Sequence, residues 1–194
     1  MSTSKTYHHG DLHDALIRAA LAILRSDGIA ALTLRAAARK AGVSPMAPYR
    51  HFADKDALLA AVAAHGFTVL TDYLTSATPP NTPYPEALAA CGAAYVGFAC
   101  DEPELFRLMF GPHITKDCTC EPLETAGYTA FNALQHAVAD ATPHLTPQAR
   151  ADVALACWSL VHGLASLTVD GRLGPIDARA TALRLTGILG AGFL

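Results

Sequence analysis

Residues 32–59 read LTLRAAARKAGVSPMAPYRHFADKDALL, two short helical segments around a tight turn. Thr33 and Ser44 are suitable N-caps for the two segments, and Gly42 stands where the turn needs a positive φ. Pro45 fits the first helical position of the second segment. Paired short helices at this spacing are typical of a helix-turn-helix. The second segment is too short to bury much apolar surface, which indicates that a groove receives it rather than a core.

The rest of the chain is rich in alanine and repeats its apolar residues at helical rather than alternating spacing. We therefore predict an all-α protein of about nine helices. The proline-rich run TPPNTPYP at 78–85 separates a three-helix head, residues 8–68, from a C-terminal helical domain, residues 78–194. Besides the two short segments, helices are predicted at residues 11–26, 54–76, 84–100, 102–110, 121–141, 147–169 and 177–193.

Charge and hydropathy are distributed unevenly along the chain. Hydrophobic residues make up 52% of the sequence and charged residues only 16%, which leaves little polar surface for a compact monomer and predicts an oligomer or a ligand pocket. Residues 1–70 contain eight Lys and Arg against five Asp and Glu, whereas the remainder contains six against twelve. This asymmetry indicates that only the N-terminal part meets a polyanion.

The five cysteines and the polar start of the chain favour a reducing, cytoplasmic environment. The opening residues MSTSKTYHHGDL lack the apolar run of a signal peptide. Residues 153–169 carry no formal charge, but this run is slightly short for a membrane span and includes His162, two serines and a threonine. We therefore predict a helix buried in an interface and no membrane partner.

The stretch at 32–59 resembles the tetracycline-repressor-like (TetR) family of bacterial regulators. The order aromatic-x-His-Phe at residues 49–52, followed by Lys55, is specific to that pattern. A second likeness, WSLVHGLASL at 158–167, is to the Trp-x-x-x-His-Gly signature of a TetR branch with a WHG-type C-terminal domain, which YHHGDL at 7–12 also fits. The resemblance implies a homodimeric repressor that binds an inverted-repeat operator in double-stranded DNA and is released by a small-molecule effector.

For the head, the resemblance implies particular contacts with DNA. Phosphate contacts would come from Thr33, Tyr49, His51 and Lys55, with Phe52 turned inward as an anchor. Base contacts would fall to the start of the recognition helix, with Arg50 as a further candidate and two supporting arginines able to reach phosphate or a base edge. These residues are Ser44, Pro45, Met46, Ala47 and Arg50, with Arg35 and Arg39 on the preceding helix.

Two further features of the head bear on DNA binding. Pro48 stands where the family usually has a larger residue, often leucine, and it predicts a tight or distorted first turn because proline lacks a backbone N–H. An N-terminal arm formed by Lys5, Tyr7, His8 and His9 would follow the DNA backbone or enter the minor groove.

The middle helices carry an aromatic set with few charges, which is typical both of a ligand cavity and of an ordinary helical core. The resemblance implies a cavity for a small, apolar effector with one or two polar handles. The candidate lining residues are Tyr95, Phe98, Phe106, Met109, Phe110, Tyr128, Phe131, Trp158 and His162. For Trp158 and His162, packing is the stronger interpretation. His65 and His136 are further candidate handles.

The last two helices are predicted to form the dimer interface as half of a four-helix bundle. Each has an apolar stripe at helical spacing. The stripes are Val153, Cys157, Leu160, Leu164 and Leu167 on the first helix, and Ala180, Leu183, Gly187, Ala191 and Leu194 on the second.

Two other functions remain open from the sequence. His113, Cys118 and Cys120 lie within eight residues, so a metal- or redox-responsive regulator is one alternative, although the spacing is not that of a zinc ribbon. The aromatic set is also compatible with a helical-bundle enzyme or carrier. However, the sequence contains no Ser-His-Asp order, phosphate-binding glycine loop or paired-carboxylate metal motif. We therefore expect no catalysis, no cofactor and no metal.

Overall fold

The protein is represented by a computed structural model that describes residues 9–79, 82–83, 86–114 and 120–191. This part of the chain contains eight α-helices, two 3-10 segments and no strand, which confirms the predicted all-α fold. The α-helices are α1 His9–Asp27, α2 Leu34–Ala41, α3 Lys55–Ala77, α4 Glu86–Asp101, α5 Pro103–Phe110, α6 Glu121–Ala141, α7 Pro147–Val169 and α8 Ala178–Ala191. The 3-10 segments are Ile29–Ala31 and Pro48–Arg50.

The helix ends in the head are fixed by local hydrogen bonds. The Thr33 hydroxyl accepts from the Ala36 N–H over 3.1 Å at the start of α2, and Asp54 accepts from the Ala57 N–H over 2.9 Å at the start of α3. At the other end of α2, Gly42 adopts φ 72°, a left-handed conformation that an L-residue rarely takes. The Thr33 cap and the positive φ of Gly42 follow the predictions.

The recognition turn, residues 44–50, is not the α-helix that the sequence predicts. Its backbone bonds span three residues: the Ala47 N–H donates to the Ser44 carbonyl over 3.0 Å, and the Arg50 N–H donates to the Ala47 carbonyl over 3.3 Å. Pro48 offers no N–H for an α-helical bond to Ser44, so the segment takes 3-10 geometry. The expectation of a tight turn agrees with this geometry. The expectation that Ser44 caps an α-helix is wrong.

A continuous apolar core joins the head to the body, which is formed by α4 to α8. In the head, Leu16 and Leu24 of α1 are fully buried and belong to the same core as Val62 of α3. Helix α3 continues into the body, where it packs against α4, α5 and α6. Gly66 lets α5 approach closely, because a Cβ at this position would lie 2.5 Å from the Met109 sulfur. Thus α3 connects the two parts physically.

Helix α4 lies at the centre of the body and packs against α3, α7 and α8. Its approach to α8 depends on Gly92, where a Cβ would lie 2.5 Å from the Thr186 side chain. At the junction of α1 with the body, the Arg25 guanidinium donates two hydrogen bonds to the Glu102 carboxylate over 2.8 and 2.6 Å. The close approach at Gly92 and the Arg25–Glu102 hydrogen bonds thus fix how these helices pack against one another.

Two helices, α3 and α7, are long and apolar enough by composition to cross a membrane. Length and apolar composition are weak evidence for a membrane span, because the core helix of a soluble protein has them as well. Both helices contribute buried side chains to the common core, for example Val62 of α3 and Ala165 of α7.

Candidate nucleic-acid interface and ligand cavity

The head presents its polar residues on the surface around the recognition turn. Met46 is 69% exposed and Tyr49 is 44% exposed. Ala47 and His51 are half-buried. The remaining predicted contact residues are exposed: Thr33, Arg35, Arg39, Ser44, Pro45, Arg50 and Lys55.

The inner side of the same segment is anchored by two apolar residues. Pro48 is buried and Phe52 is only 3% exposed. The His13 ring of α1 stacks on Phe52 at a centroid distance of 5.0 Å, and the His51 ring lies 6.0 Å from His13. Sequence reasoning missed His13, although the spacing of His13 from Leu16 and Ile17 on α1 indicates a residue at the edge of the buried face.

This arrangement suits contact with a polyanion. Five cationic side chains are exposed on α2, the recognition turn and the first turn of α3: Arg35, Arg39, Lys40, Arg50 and Lys55. Phenol, hydroxyl and imidazole groups lie among them, and these are the groups that commonly bind phosphate oxygens. The buried Phe52 fixes the backbone from which they project.

The body encloses a cavity of about 320 Å³, near the lower end of the size range for small-molecule sites. It lies between α3, α4, α6, α7 and α8, with one residue from α5. The lining residues are Phe67, Leu70, Leu74, Leu88, Cys91, Gly92, Tyr95, Phe110, Gly127, Ala130, Phe131, Leu134, Cys157, Trp158, Val161 and Thr186. Within the described part of the chain, no charged side chain belongs to this lining.

The polar groups of the cavity wall are also uncharged near neutral pH. Burial raises the pKa of the Cys91 thiol to about 12 and that of Cys157 to about 11. Burial raises the pKa of the Tyr95 phenol as well. The Thr186 hydroxyl is satisfied internally, since it donates to the Ala182 carbonyl over 2.6 Å. The wall therefore suits a neutral ligand and disfavours an ionic one.

Of the predicted lining residues, Tyr95, Phe110, Phe131 and Trp158 line this cavity. The other five predicted residues do not line this cavity. Tyr128 is 66% exposed, on the outer side of α6. Phe98 is fully buried in the core against Tyr73, and Met109 packs on Gly66.

Phe106 and His162 belong to an aromatic cluster beside the cavity. The His162 ring lies 5.5 Å from Phe106 and 4.7 Å from Phe110, and its Nδ1 shares a hydrogen bond of 2.9 Å with the Tyr95 hydroxyl. His162 thus touches the cavity wall only through its contacts with lining residues such as Tyr95. The other two candidate handles, His65 and His136, are exposed.

The resemblance implies that α3 borders the cavity, but sequence reasoning named no lining residue on it. Phe67, Leu70 and Leu74 line it from that helix. Their spacing of three and four residues is the signal that could have found them, because it places all three on one helix face. Small and sulfur-containing residues of the wall, such as Gly92 and Cys91, carry no comparable signal.

The partial burial of His162 predicts a pH dependence of stability. Desolvation lowers its pKa below the ordinary value of 6.5, so below pH 6.5 the unfolded chain binds more protons than the folded chain. The stability that the folded state gains from a neutral His162 is therefore fully present above pH 6.5 and is lost as the pH falls. We expect the Tm of the wild type to fall more steeply between pH 7 and pH 5 than that of His162→Gln. Thermal melts across this range measure the difference.

Exposed His136 provides the control for that comparison. His136→Gln removes an imidazole from the surface of α6 and should leave the steepness of the wild-type profile unchanged. Equal slopes for the wild type and His162→Gln would contradict the prediction.

Large hydrophobic side chains are exposed on both α7 and α8. Leu155 and Leu167 of α7 and Leu183 and Ile188 of α8 are large hydrophobic side chains open to solvent, and Ile188 is 71% exposed. On α8, Leu183 and the half-buried Ala180 and Gly187 of the predicted stripe lie on the accessible side. The Ala191 side chain and Leu194 lie outside the described residues.

The predicted stripe on α7 needs correction. Val153, Cys157 and Leu164 are buried in the core of the monomer, Leu160 is half-buried, and Leu167 is exposed. Helix α7 is apolar on most sides, so its sequence does not distinguish the inner face from the outer face. The accessible face is instead marked by Leu155 and Leu167.

The remaining candidate sites are only partly described. His113 and Cys120 are exposed, whereas Cys118 lies outside the described residues. Among the residues whose structure is described, no group of three or more potential metal ligands occurs. The predicted N-terminal arm also lies outside the described side chains.

Comparison with known proteins agrees with this geometry. The family model for bacterial regulatory proteins of the tetR family matches residues 16–62, and the model for the tetracyclin repressor-like C-terminal domain matches residues 88–187. A protein of unknown function from Rhodococcus sp. RHA1 is 32% identical, with a TM-score of 0.82 over 97% of this chain and 98% of that chain. No protein with a curated description matches the sequence.

Two further solved structures share the fold. The TetR family transcriptional regulator PfmR from Thermus thermophilus is 17% identical, with a TM-score of 0.67 over 92% of this chain and 98% of that chain. A TetR variant from Acinetobacter baumannii AYE, in complex with minocycline, is 22% identical, with a TM-score of 0.65 over 97% of each chain. The helix-turn-helix head, the helical body and both family matches lead to one conclusion: this chain belongs to the TetR family of DNA-binding transcriptional regulators.

Proposed function

We propose that the protein is a homodimeric repressor that binds an inverted-repeat operator and is released from it by a small, neutral effector. The observation that carries the proposal is the two-sided recognition segment. Pro48 and Phe52 are buried, whereas Met46, Tyr49 and Arg50 between and beside them are exposed. A segment that holds polar and cationic groups out of its own core is suited to an external partner, and double-stranded DNA fits both its charge and its size.

The dimer is proposed to form through the exposed faces of α7 and α8. Leu155, Leu167, Leu183 and Ile188 would be buried against the same residues of a second copy. Such an isologous contact joins four helices and relates the two heads by two-fold symmetry. Two symmetric heads match two half-sites in opposite orientation, which is why we infer an inverted repeat.

The effector is proposed to occupy the cavity lined mainly by α3, α4, α6 and α7. Its wall carries no charge in the described residues, and its polar groups are a phenol, an indole, thiols and a hydroxyl. We infer a mostly apolar effector that makes one or two neutral hydrogen bonds. The complex of the A. baumannii structural neighbour with minocycline supports a ligand role for this fold, although not for this particular ligand.

Release from DNA is proposed to pass through α3. This helix begins at Lys55 in the head and lines the cavity with Phe67, Leu70 and Leu74. An effector that binds one position of α3 better than another would shift the heads between operator-competent and operator-incompetent spacing. The same scheme implies a division near residues 69–77, with residues 8–68 as the DNA-binding unit and residues 78–194 as the effector and dimer unit. We also propose that the protein acts in the cytoplasm, where its operator DNA lies.

The proposal is tested by selecting bound fragments from genomic DNA with the purified protein. A shared inverted repeat should appear among the fragments, and fluorescence anisotropy should then give specific binding to it at fixed salt. Neutral apolar compounds that raise the Tm of the protein should weaken this binding. If the protein binds no duplex, or if stabilising ligands leave operator affinity unchanged, the corresponding part of the proposal fails.

Lys55 gives a quantitative prediction for the DNA contact. Its ammonium group is exposed in the first turn of α3, where it can neutralise one phosphate of each half-site. Lys55→Gln should weaken binding to specific and non-specific duplexes alike, and should reduce the slope of log K against log salt by about one for each half-site. Titrations at several salt concentrations measure the slope.

Lys40 on α2 offers a matched control. It is also exposed and cationic, but no DNA contact is proposed for it. Lys40→Gln should change the slope less than Lys55→Gln does. Equal slopes for Lys55→Gln and the wild type would contradict the phosphate contact.

A further inference from the structure

The recognition turn has an unusual donor content for a segment that reads DNA. Pro45 and Pro48 have no backbone N–H, and the Ala47 N–H is already bonded to the Ser44 carbonyl over 3.0 Å. The side chains of Pro45, Met46 and Ala47 cannot donate hydrogen bonds. Apart from the exposed Ser44 hydroxyl, the leading part of the turn therefore has little capacity to read the donors and acceptors of base edges.

Met46 is instead the prominent group of this turn. It is 69% exposed, a high value for a long apolar side chain. Most of the other large hydrophobics that are exposed lie in the body, mainly on α6, α7 and α8. Within the described part of the head, the other exposed large hydrophobic is Tyr49, three residues after Met46. Met46 is thus accessible to an external partner of the recognition turn.

In the major groove, the apolar feature of a base pair is the C5-methyl group of thymine. The geometry points to Met46 as a specificity-determining residue that recognises a thymine methyl in each operator half-site, with Pro45 and Ala47 as its apolar flanks. This inference rests on the proposed function, because it requires that the recognition turn enter the groove. It adds the chemical feature by which the protein distinguishes one operator base pair from another.

The rival for base recognition is Arg50. Its guanidinium is exposed at the end of the turn, and arginine commonly makes paired hydrogen bonds to O6 and N7 of guanine. The two modes depend on different atoms of the DNA, so they can be separated chemically. Replacing thymine by deoxyuridine removes only the methyl group, whereas replacing guanine by 7-deazaguanine removes only the N7 acceptor.

The experiment uses the full-length protein and the operator obtained by fragment selection. Each thymine of one half-site is replaced in turn by deoxyuridine, and the Kd is measured by fluorescence anisotropy at fixed salt. At one or two positions the Kd should rise about fourfold, the effect of losing one buried carbon group. The same replacement in both half-sites should raise it about fifteenfold, since the two losses add as free energies.

Variants of Met46 then test whether the rise in Kd on deoxyuridine depends on the Met46 side chain. Met46→Ala should weaken binding to the thymine operator and remove the deoxyuridine penalty, whereas Met46→Leu should retain it. Lys55→Gln is the control, since it should weaken binding but leave the penalty intact. Because Met46 is exposed, none of its variants should change the Tm appreciably.

The outcomes separate the two levels of the proposal. A protein that binds no duplex overturns the proposed function and this inference together. Specific binding with no deoxyuridine penalty at any position, or with a penalty that persists in Met46→Ala, overturns the methyl readout alone. A loss of affinity on 7-deazaguanine without any loss on deoxyuridine would assign base recognition to Arg50 instead.

Discussion

Phe52→Ala is expected to lower the free energy of unfolding by about 3–5 kcal/mol, because it leaves a cavity under the recognition turn. Phe52 is 3% exposed, stacks on His13 and belongs to the core that α1 and α3 share. For a chain of this length, the Tm should fall by roughly 6–20 °C. Denaturant titration and thermal melts measure both quantities. Operator binding should be lost as well, since Tyr49 and His51 project from the backbone that Phe52 anchors.

Tyr49→Ala is the matched control for this variant. It removes an aromatic ring from a neighbouring position on the same segment, but one that is 44% exposed. Stability should change by no more than about 0.5 kcal/mol, whereas operator binding should weaken on every sequence. Together, Phe52→Ala and Tyr49→Ala distinguish a loss of stability from a loss of DNA contacts. A Phe52→Ala protein as stable as the wild type would contradict the anchoring role of this residue.

The double substitution Leu183→Glu and Ile188→Glu is expected to convert a dimer into monomers. Both side chains are exposed on α8, so the folded monomer can accept carboxylates at these positions. In the proposed four-helix contact, each subunit would instead bury two carboxylates, at a cost of several kcal/mol for each one that no cation compensates. Dimer affinity should fall by roughly a thousandfold or more, and operator affinity should fall with it. Sedimentation equilibrium measures the first effect and anisotropy the second.

Tyr128→Glu serves as the control for the dimer variant. Tyr128 is also a large, exposed hydrophobic residue, but it lies on α6 outside the proposed interface. It should leave the oligomeric state unchanged. A dimer that survives both substitutions on α8 would exclude this face as the interface, and a monomeric wild type would exclude the dimer itself.

The sequence predicts the features of this fold that depend on local chemistry. Thr33 and Asp54 cap α2 and α3 because a side-chain oxygen next to a helix start has only a few backbone donors to choose from. Gly42 ends α2 because its positive φ is strained for other residues. The helix bounds follow from such signals together with the proline-containing connections. Each predicted helix of the body lies within two residues of its observed bounds.

The sequence predicts less well which side of a helix faces which neighbour. Helix α7 is apolar on most sides, so its pattern places Cys157 and Leu164 on an outer stripe although they lie in the core. The aromatic character of Tyr128 suggests the cavity, although the rotation of α6 turns this residue to the surface. The sequence predicts an α-helical recognition turn, but the turn has 3-10 geometry at Pro48–Arg50. The effect of Pro48 on hydrogen bonding depends on the whole segment. The errors on α7 and α6 share one cause: composition identifies a residue as apolar, but only packing decides its direction.

The close contact between Gly66 and Met109 has a mechanical consequence. In the proposed release mechanism it would act as a fulcrum for α3, with Lys55 at the end of one arm and the cavity-lining Phe67 directly beside the pivot. The arm from Gly66 to Lys55 spans eleven residues, roughly 16 Å of helix, so a tilt of roughly 5° displaces the Lys55 end by roughly 1.4 Å. A movement too small to disturb the packing around the pivot would thus become a shift comparable to half a hydrogen-bond length at Lys55, the residue proposed to contact the phosphates.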